Sequence, residues 1–127
     1  MHGWNGEIMK EIMIVDDNED IRMTLQFVLE EEGYKTIQAE NGDDCLNQLE
    51  EMTEKPDLIL LDIMMPGTPV SQVIEKINGI KIVYLSAVGV SKEDKEKMLS
   101  NEKIIDFIEK PFDEKKLIAF IKEQVGE

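Results

Sequence analysis

Several short stretches of this chain end an apolar run in a polar group capable of chemistry. "IVDD" closes on Asp16 and Asp17, "LLDIMMPG" carries Asp62, "LSA" carries Ser86, and "FIEKPF" carries Lys110. A carboxylate can attack phosphorus or ligate a hard cation. A hydroxyl can donate a hydrogen bond, and a lysine supplies a positive charge. Each residue also has a plainer use. Taken alone, Asp16 and Asp17 read best as N-caps of the following helix. Asp62 reads as a turn residue before Pro66, Ser86 as a loop hydroxyl and Lys110 as a solvated lysine beside Pro111. The chemical reading requires a fold that gathers these stretches in one place.

The elements that would position them follow from periodicity. "EIMIV" (11–15), "LILL" (58–61), "IKIVYL" (80–85) and "IIDFI" (104–108) predict strands, and the more polar "KTIQA" (35–39) predicts a strand at a sheet edge. Residues 19–32 carry Ile21, Leu25, Val28 and Leu29 at helical spacing, with Gly33 as C-cap. "NGDD" (41–44) opens a second helix with Leu46 and Leu49 inward, and Val70, Val73, Ile74 and Ile77 mark a short third one. Residues 91–100 form a charged, weakly amphipathic fourth helix, and 113–125 form a fifth with Leu117, Phe120, Ile121 and Val125 inward.

Strands alternating with helices predict an α/β fold with a mostly parallel sheet covered on both faces. The near-continuous apolar runs of strands 1, 3 and 4 suit that burial. The leading topology is a flavodoxin-like, doubly wound, five-stranded parallel sheet of order 2-1-3-4-5 with five helices. Ligands bind such sheets beyond the carboxyl ends of the strands, where the strand order reverses. Asp16, Asp17 and Asp62 would meet there. Two unit charges ~4 Å apart at an effective dielectric near 20 interact by roughly 4 kcal/mol, so three carboxylates need a counter-charge. Lys110 supplies one. An oxygen-only ligand set suits Mg2+ (or Mn2+), which keeps several waters and commonly joins one or two carboxylates to a phosphate.

Bulk properties narrow the function classes. The chain has 127 residues and a formal net charge of −14. That charge opposes direct nucleic acid binding, where Lys and Arg must neutralise phosphates. There is no apolar stretch of membrane-spanning length and no secretory signal pattern. The single cysteine, Cys45, excludes an internal disulfide framework. A soluble cytoplasmic protein is expected, with residues 1–10 as an irregular N-terminal extension and 11–127 as one domain.

The joint pattern "IVDD", "LLDIMMPG", "LSA" and "FIEKPF", in this order and spacing, resembles the receiver domain of two-component response regulators, including chemotaxis-type regulators. The resemblance covers about residues 11–125. It implies that Asp62 is the phosphoacceptor and that Asp16, Asp17, Asp62 and the Met64 backbone carbonyl hold the metal. It implies that Ser86, Ala87 and Lys110 bind the phosphoryl group and that Phe107 is the switch aromatic. The donor would be a sensor histidine kinase or phosphotransfer protein, and the output would pass to a downstream protein. The only histidine, His2, lies in the extension and is expected to be incidental.

The pattern also departs from the family. "TPVS" stands where small loop residues are common, the distance from Asp62 to Ser86 is short, and "SNEKII" replaces the usual Gly-Ala before strand 5. Met64 and Val88 are apolar beside the site, so slow loss of the phosphoryl group is expected. Three alternatives remain. The chain could be a receiver excised from a longer regulator. An aspartyl-phosphate hydrolase of the haloacid dehalogenase type needs a second acid where Met64 stands. A flavin-binding module needs a Ser-, Thr- and Gly-rich loop where "DDNED" stands.

Overall fold

The computed structural model describes residues 9–86 and 91–126. The strands β1 (Glu11–Val15), β2 (Lys35–Ala39), β3 (Leu58–Asp62), β4 (Lys81–Ser86) and β5 (Ile104–Glu109) form one sheet. Its order is β2-β1-β3-β4-β5, and every pairing is parallel. Between the strands run the helices α1 (Glu19–Glu31), α2 (Gly42–Glu51), α3 (Val70–Glu75) and α4 (Lys92–Leu99), and α5 (Glu114–Val125) follows β5. The expected topology is the observed one. Three strands run one residue further than their apolar patterns, so that Asp62, Ser86 and Glu109 are the last residues of β3, β4 and β5. The ladder also begins earlier, since the Lys10 carbonyl accepts from the Lys35 N–H at 2.9 Å.

Side chains alternate across each strand, and this period of two sorts the helices onto two faces. Met13, Val15, Ile59, Leu61, Ile82 and Tyr84 face one way and pack with Cys45 and Leu49 of α2 and Val73 and Ile74 of α3. Ile12, Ile14, Leu58, Leu60, Val83 and Leu85 face the other and pack with Leu25 and Leu29 of α1 and Leu117 and Ile121 of α5. The β1, β3 and β4 residues named are buried on both faces, which explains why these strands read as continuous apolar runs. At the edge of the sheet, only Ala39 of β2 is fully buried.

Helix starts follow ordinary capping chemistry. Asn18, Asn41, Ser91 and Asp113 each accept, through the side chain, a backbone N–H three residues on. Gly33 lies just past the C-cap Glu32 with φ of 93°, a conformation that costs glycine little. The cap of α1 is therefore Asn18 rather than either preceding aspartate. Asp16 and Asp17 are left available for other work.

The trimmed β3–α3 connection produces a six-residue helix whose N-cap position, Pro69, offers no side-chain cap. Thr68 Oγ1 donates to Asp43 Oδ1 at 2.8 Å, tying this loop to the start of α2. The two helices approach so closely that a Cβ on Gly42 would lie 2.5 Å from Val73 Cγ2. Gly42→Ala is expected to destabilise the protein by about 1–3 kcal/mol through overpacking, despite the roughly 0.5–1 kcal/mol that alanine gains in a helix. Chemical denaturation should show a smaller cost for the same change in a Val73→Ala background.

Candidate functional site

Three strand ends and one loop build the site. Asp16 follows β1 directly, and its N–H donates to the Ala39 carbonyl at 3.2 Å, so the β1–β2 ladder fixes its backbone. Its side chain is fully buried. Oδ1 accepts the Asn18 N–H at 2.9 Å and Oδ2 accepts Lys110 Nζ at 2.8 Å. Asp62 ends the central strand β3 and is only 3% exposed. Its Oδ1 accepts the Met64 N–H at 3.0 Å, and Lys110 Nζ lies 3.5 Å from its Oδ2. Asp17 is exposed, but a carboxylate oxygen from each of Asp16, Asp17 and Asp62 fits within a 4.8 Å cluster. The three predicted acids do converge, and Lys110 sits against two of them.

Lys110 is held by its own backbone. Its N–H donates to the Ser86 carbonyl at 2.7 Å, extending the β4–β5 pairing beyond β5, and the following Lys110–Pro111 peptide is cis. Ser86 is fully buried at the end of β4, on the strand beside Asp62 and one residue past Asp62's register partner Leu85. Its Oγ has no hydrogen-bond partner among the described residues. A buried hydroxyl without a partner forfeits on the order of 1–3 kcal/mol, so this donor suits a ligand that arrives later.

One ammonium against three carboxylates leaves the cluster anionic. Burial first, with repulsion from Asp16 and Asp17 added, pushes the Asp62 carboxyl up to about 6. The Met64 N–H and Lys110 oppose the rise. The all-oxygen donor set fits a small hard cation, which would relieve this repulsion.

The remaining predicted residues fall as follows. The Met64 amide contacts Asp62, and its side chain is 71% exposed. Phe107, on β5, is half-buried against the α2–α3 core. Lys95 Nζ of α4 lies over its ring, 5.0 Å from the centroid, and 3.5 Å from Glu109 Oε2. Ala87 and Val88 lie outside the described residues. Sequence reasoning missed Asn18, which both caps α1 and donates to Asp16. It also missed Arg22, whose Nη1 donates to the Asp16 carbonyl at 2.7 Å. The available signal for Arg22 was a second polar oddity, Gln38 near the end of β2, which accepts Arg22 Nε at 3.0 Å.

The sequence model of the response regulator receiver domain matches residues 12–122. The chain belongs to this family. As a receiver domain it is 40% identical over 119 residues to the phosphate regulon transcriptional regulatory protein PhoB of Escherichia coli K12, covering 89% of this chain and 50% of that protein. It is 36% identical over 115 residues to the alkaline phosphatase synthesis transcriptional regulatory protein PhoP of Bacillus subtilis, covering 89% and 47%. The chain thus spans about half the length of these curated relatives. Among solved structures, a CheY-like receiver domain protein from Methanospirillum hungatei matches with a TM-score of 0.77 and 32% identity, over 92% of this chain and 94% of that one. A receiver protein from Burkholderia phymatum, at 22% identity, shares the fold with a TM-score of 0.83, over 92% and 95%.

Proposed function

We propose that this receiver domain accepts a phosphoryl group on Asp62 from a sensor histidine kinase or phosphotransfer protein, in a reaction that needs Mg2+ or Mn2+. The observation that carries the reading is the arrangement around Asp62. A buried carboxylate at a strand end is flanked by two further acids and one lysine, with the Ser86 hydroxyl, unpartnered among the described residues, on the adjacent strand. Asp62 attacks phosphorus, the phosphorus–nitrogen bond of the donor breaks, and an acyl phosphate forms. Asp16, Asp17, Asp62 and the Met64 carbonyl are the groups that would hold the cation. When bound, the cation supplies positive charge for the phosphoryl oxygens. Lys110, which rests against Asp16 and Asp62, would supply a second positive charge to those oxygens, and Ser86 would donate to one of them. Ala87 is proposed, from the family pattern, as a further phosphoryl contact.

The signal follows from the same residues. Ser86 moves toward the phosphoryl group, and Phe107 turns inward and away from Lys95, changing the α4–β5–α5 surface offered to a downstream protein. Residues 11–127 act as one domain with 1–10 as an extension, working in the cytoplasm. No described helix is long and apolar enough to cross a membrane. A second reading is a receiver within a longer transcriptional regulator. The PhoB and PhoP relatives favour it, and the length of the gene decides it.

The test is incubation with a small phosphodonor and MgCl2, read by intact mass. One phosphoryl adduct is expected, and chelation of the divalent cation should abolish it. No adduct with any donor or metal, or an adduct on another residue, refutes the reading. The exposed Met64 side chain cannot hydrogen-bond a hydrolytic water well, so the adduct should decay slowly. Met64→Asn should shorten its lifetime several-fold in the same assay, and an unchanged lifetime would remove Met64 from the explanation.

A further inference from the structure

The acids of the cluster are not held equally well. Asp16 is buried and fixed at both carboxylate oxygens, and Asp62 is buried and fixed at one by an amide. Asp17 is exposed, and its carboxylate receives no hydrogen bond or ion pair among the described residues. Something other than its own side-chain contacts must keep it over the cluster.

The peptide plane joining Asp16 to Asp17 has its carbonyl on Asp16, and that carbonyl accepts Arg22 Nη1 at 2.7 Å. The bond is short and charge-assisted, a class roughly twice as strong as a neutral one. The guanidinium is itself anchored, because Arg22 Nε donates to Gln38 Oε1 at 3.0 Å. Gln38 is tied in turn. Its side-chain amide donates to Gln26 Oε1, and its carbonyl accepts Gln48 Nε2 at 2.8 Å. Arg22 therefore connects the β1–α1 turn to β2 and, through Gln38, to α2. A planar fork with two fixed bonds can set the orientation of a peptide plane, which a single flexible ammonium does poorly.

We infer that Arg22 is a positioning residue for divalent-cation binding, clamping the Asp16–Asp17 peptide so that the Asp17 carboxylate is presented to the cluster. The inference rests on the cation reading proposed above. The side chain of Arg22 bonds the Asp16 carbonyl and Gln38, not a carboxylate of the cluster. It acts through the backbone, as groups supporting metal ligands do when their loss weakens affinity.

The experiment is calorimetric titration of MgCl2 into the cation-free protein, with a melting curve for each variant. Arg22→Ala should weaken magnesium binding by roughly tenfold or more. Gln38→Ala, which keeps the bond to Asp16 but frees the guanidinium, should give a smaller loss, and Arg22→Lys should recover part of the affinity. Asp17→Asn serves as the control for the ligand itself. In the phosphodonor assay, Arg22→Ala should raise the magnesium concentration for half-maximal rate and leave the rate at saturating magnesium close to wild type. A merely structural role would lower the melting temperature without moving the magnesium Kd. A folded Arg22→Ala with wild-type Kd overturns the inference. Should that variant fail to fold, an unchanged Kd in both Gln38→Ala and Arg22→Lys overturns it instead. Absence of saturable magnesium binding by wild type, in contrast, overturns the cation reading and the inference with it.

Discussion

Asp62→Asn is expected to accept no phosphoryl group and still to melt higher than wild type when no divalent cation is present. The loss is chemical, since an amide is not the carboxylate nucleophile that forms an acyl phosphate. The gain is electrostatic. In the folded protein Asp62 titrates near 6, above the ordinary carboxylate value, chiefly because it is buried beside other acids. Between about pH 4 and 6 the folded state therefore binds a proton that the unfolded state has released. Stability from this group is fully present below the unfolded pKa and is lost as pH rises through about 6. At pH 7 wild type carries an ionisation penalty on the order of 2–3 kcal/mol. Asparagine removes that charge and retains an oxygen for the Met64 N–H. The expected gain is about 1–3 kcal/mol, or a melting temperature higher by roughly 3–10 °C. Melting curves across pH check the sign, because the difference between variant and wild type should shrink toward pH 4. Saturating magnesium should also narrow it, since the cation stabilises the wild-type cluster more strongly. A variant no more stable than wild type at pH 7 would mean that Asp62 is not under the repulsion described.

The parts of this molecule that were legible in the sequence are those set by local pattern. Apolar runs at Ile12–Val15, Leu58–Leu61 and Ile82–Leu85 required strands buried on both faces, and their alternation with helices left few topologies. Once the order was known, Asp16, Asp62 and Ser86 had to share one end of the sheet, because each closes a strand. What pattern could not supply were relations between distant elements. Lys110, 94 residues from Asp16, joined the acids only through the topology and the family pattern, and Gln38, 16 residues from Arg22, hinted at a partner without identifying it. Gly42 read only as a helix start, yet Val73 on another helix occupies the space its side chain would fill. The role of Asn18 was obscured by chemistry. Three adjacent residues could all cap a helix, and the selection turns on Asp16 being held instead by the Asn18 N–H and Lys110.

Lys110→Ala separates the structural and chemical duties of that single cation. Its removal takes the only ammonium among the described residues away from Asp16, which is fully buried, and from Asp62. Leaving a buried charge without its partner costs about 3–5 kcal/mol in general. Lys110 is partly exposed, and water can replace some of its effect, so about 2–3 kcal/mol is expected here without divalent cation. Asp62→Asn should reduce the cost of losing Lys110, because one of the opposing carboxylates is then gone, and a double-mutant cycle measures this coupling. Magnesium should bind the Lys110→Ala protein more tightly than wild type, since the same acids are no longer shared with an ammonium, and the added cation should restore most of the lost stability. The phosphorylation rate should not return with it. On the proposed reading Lys110 would supply charge to the transferring group in addition to that of the cation, and removal of one preorganised donor slows such reactions by about 100-fold. A tighter magnesium Kd, recovered stability and a persistently slow reaction would together assign Lys110 to the transition state as well as to the resting cluster. If saturating magnesium restored the rate as fully as the stability, Lys110 would be a structural counter-ion alone.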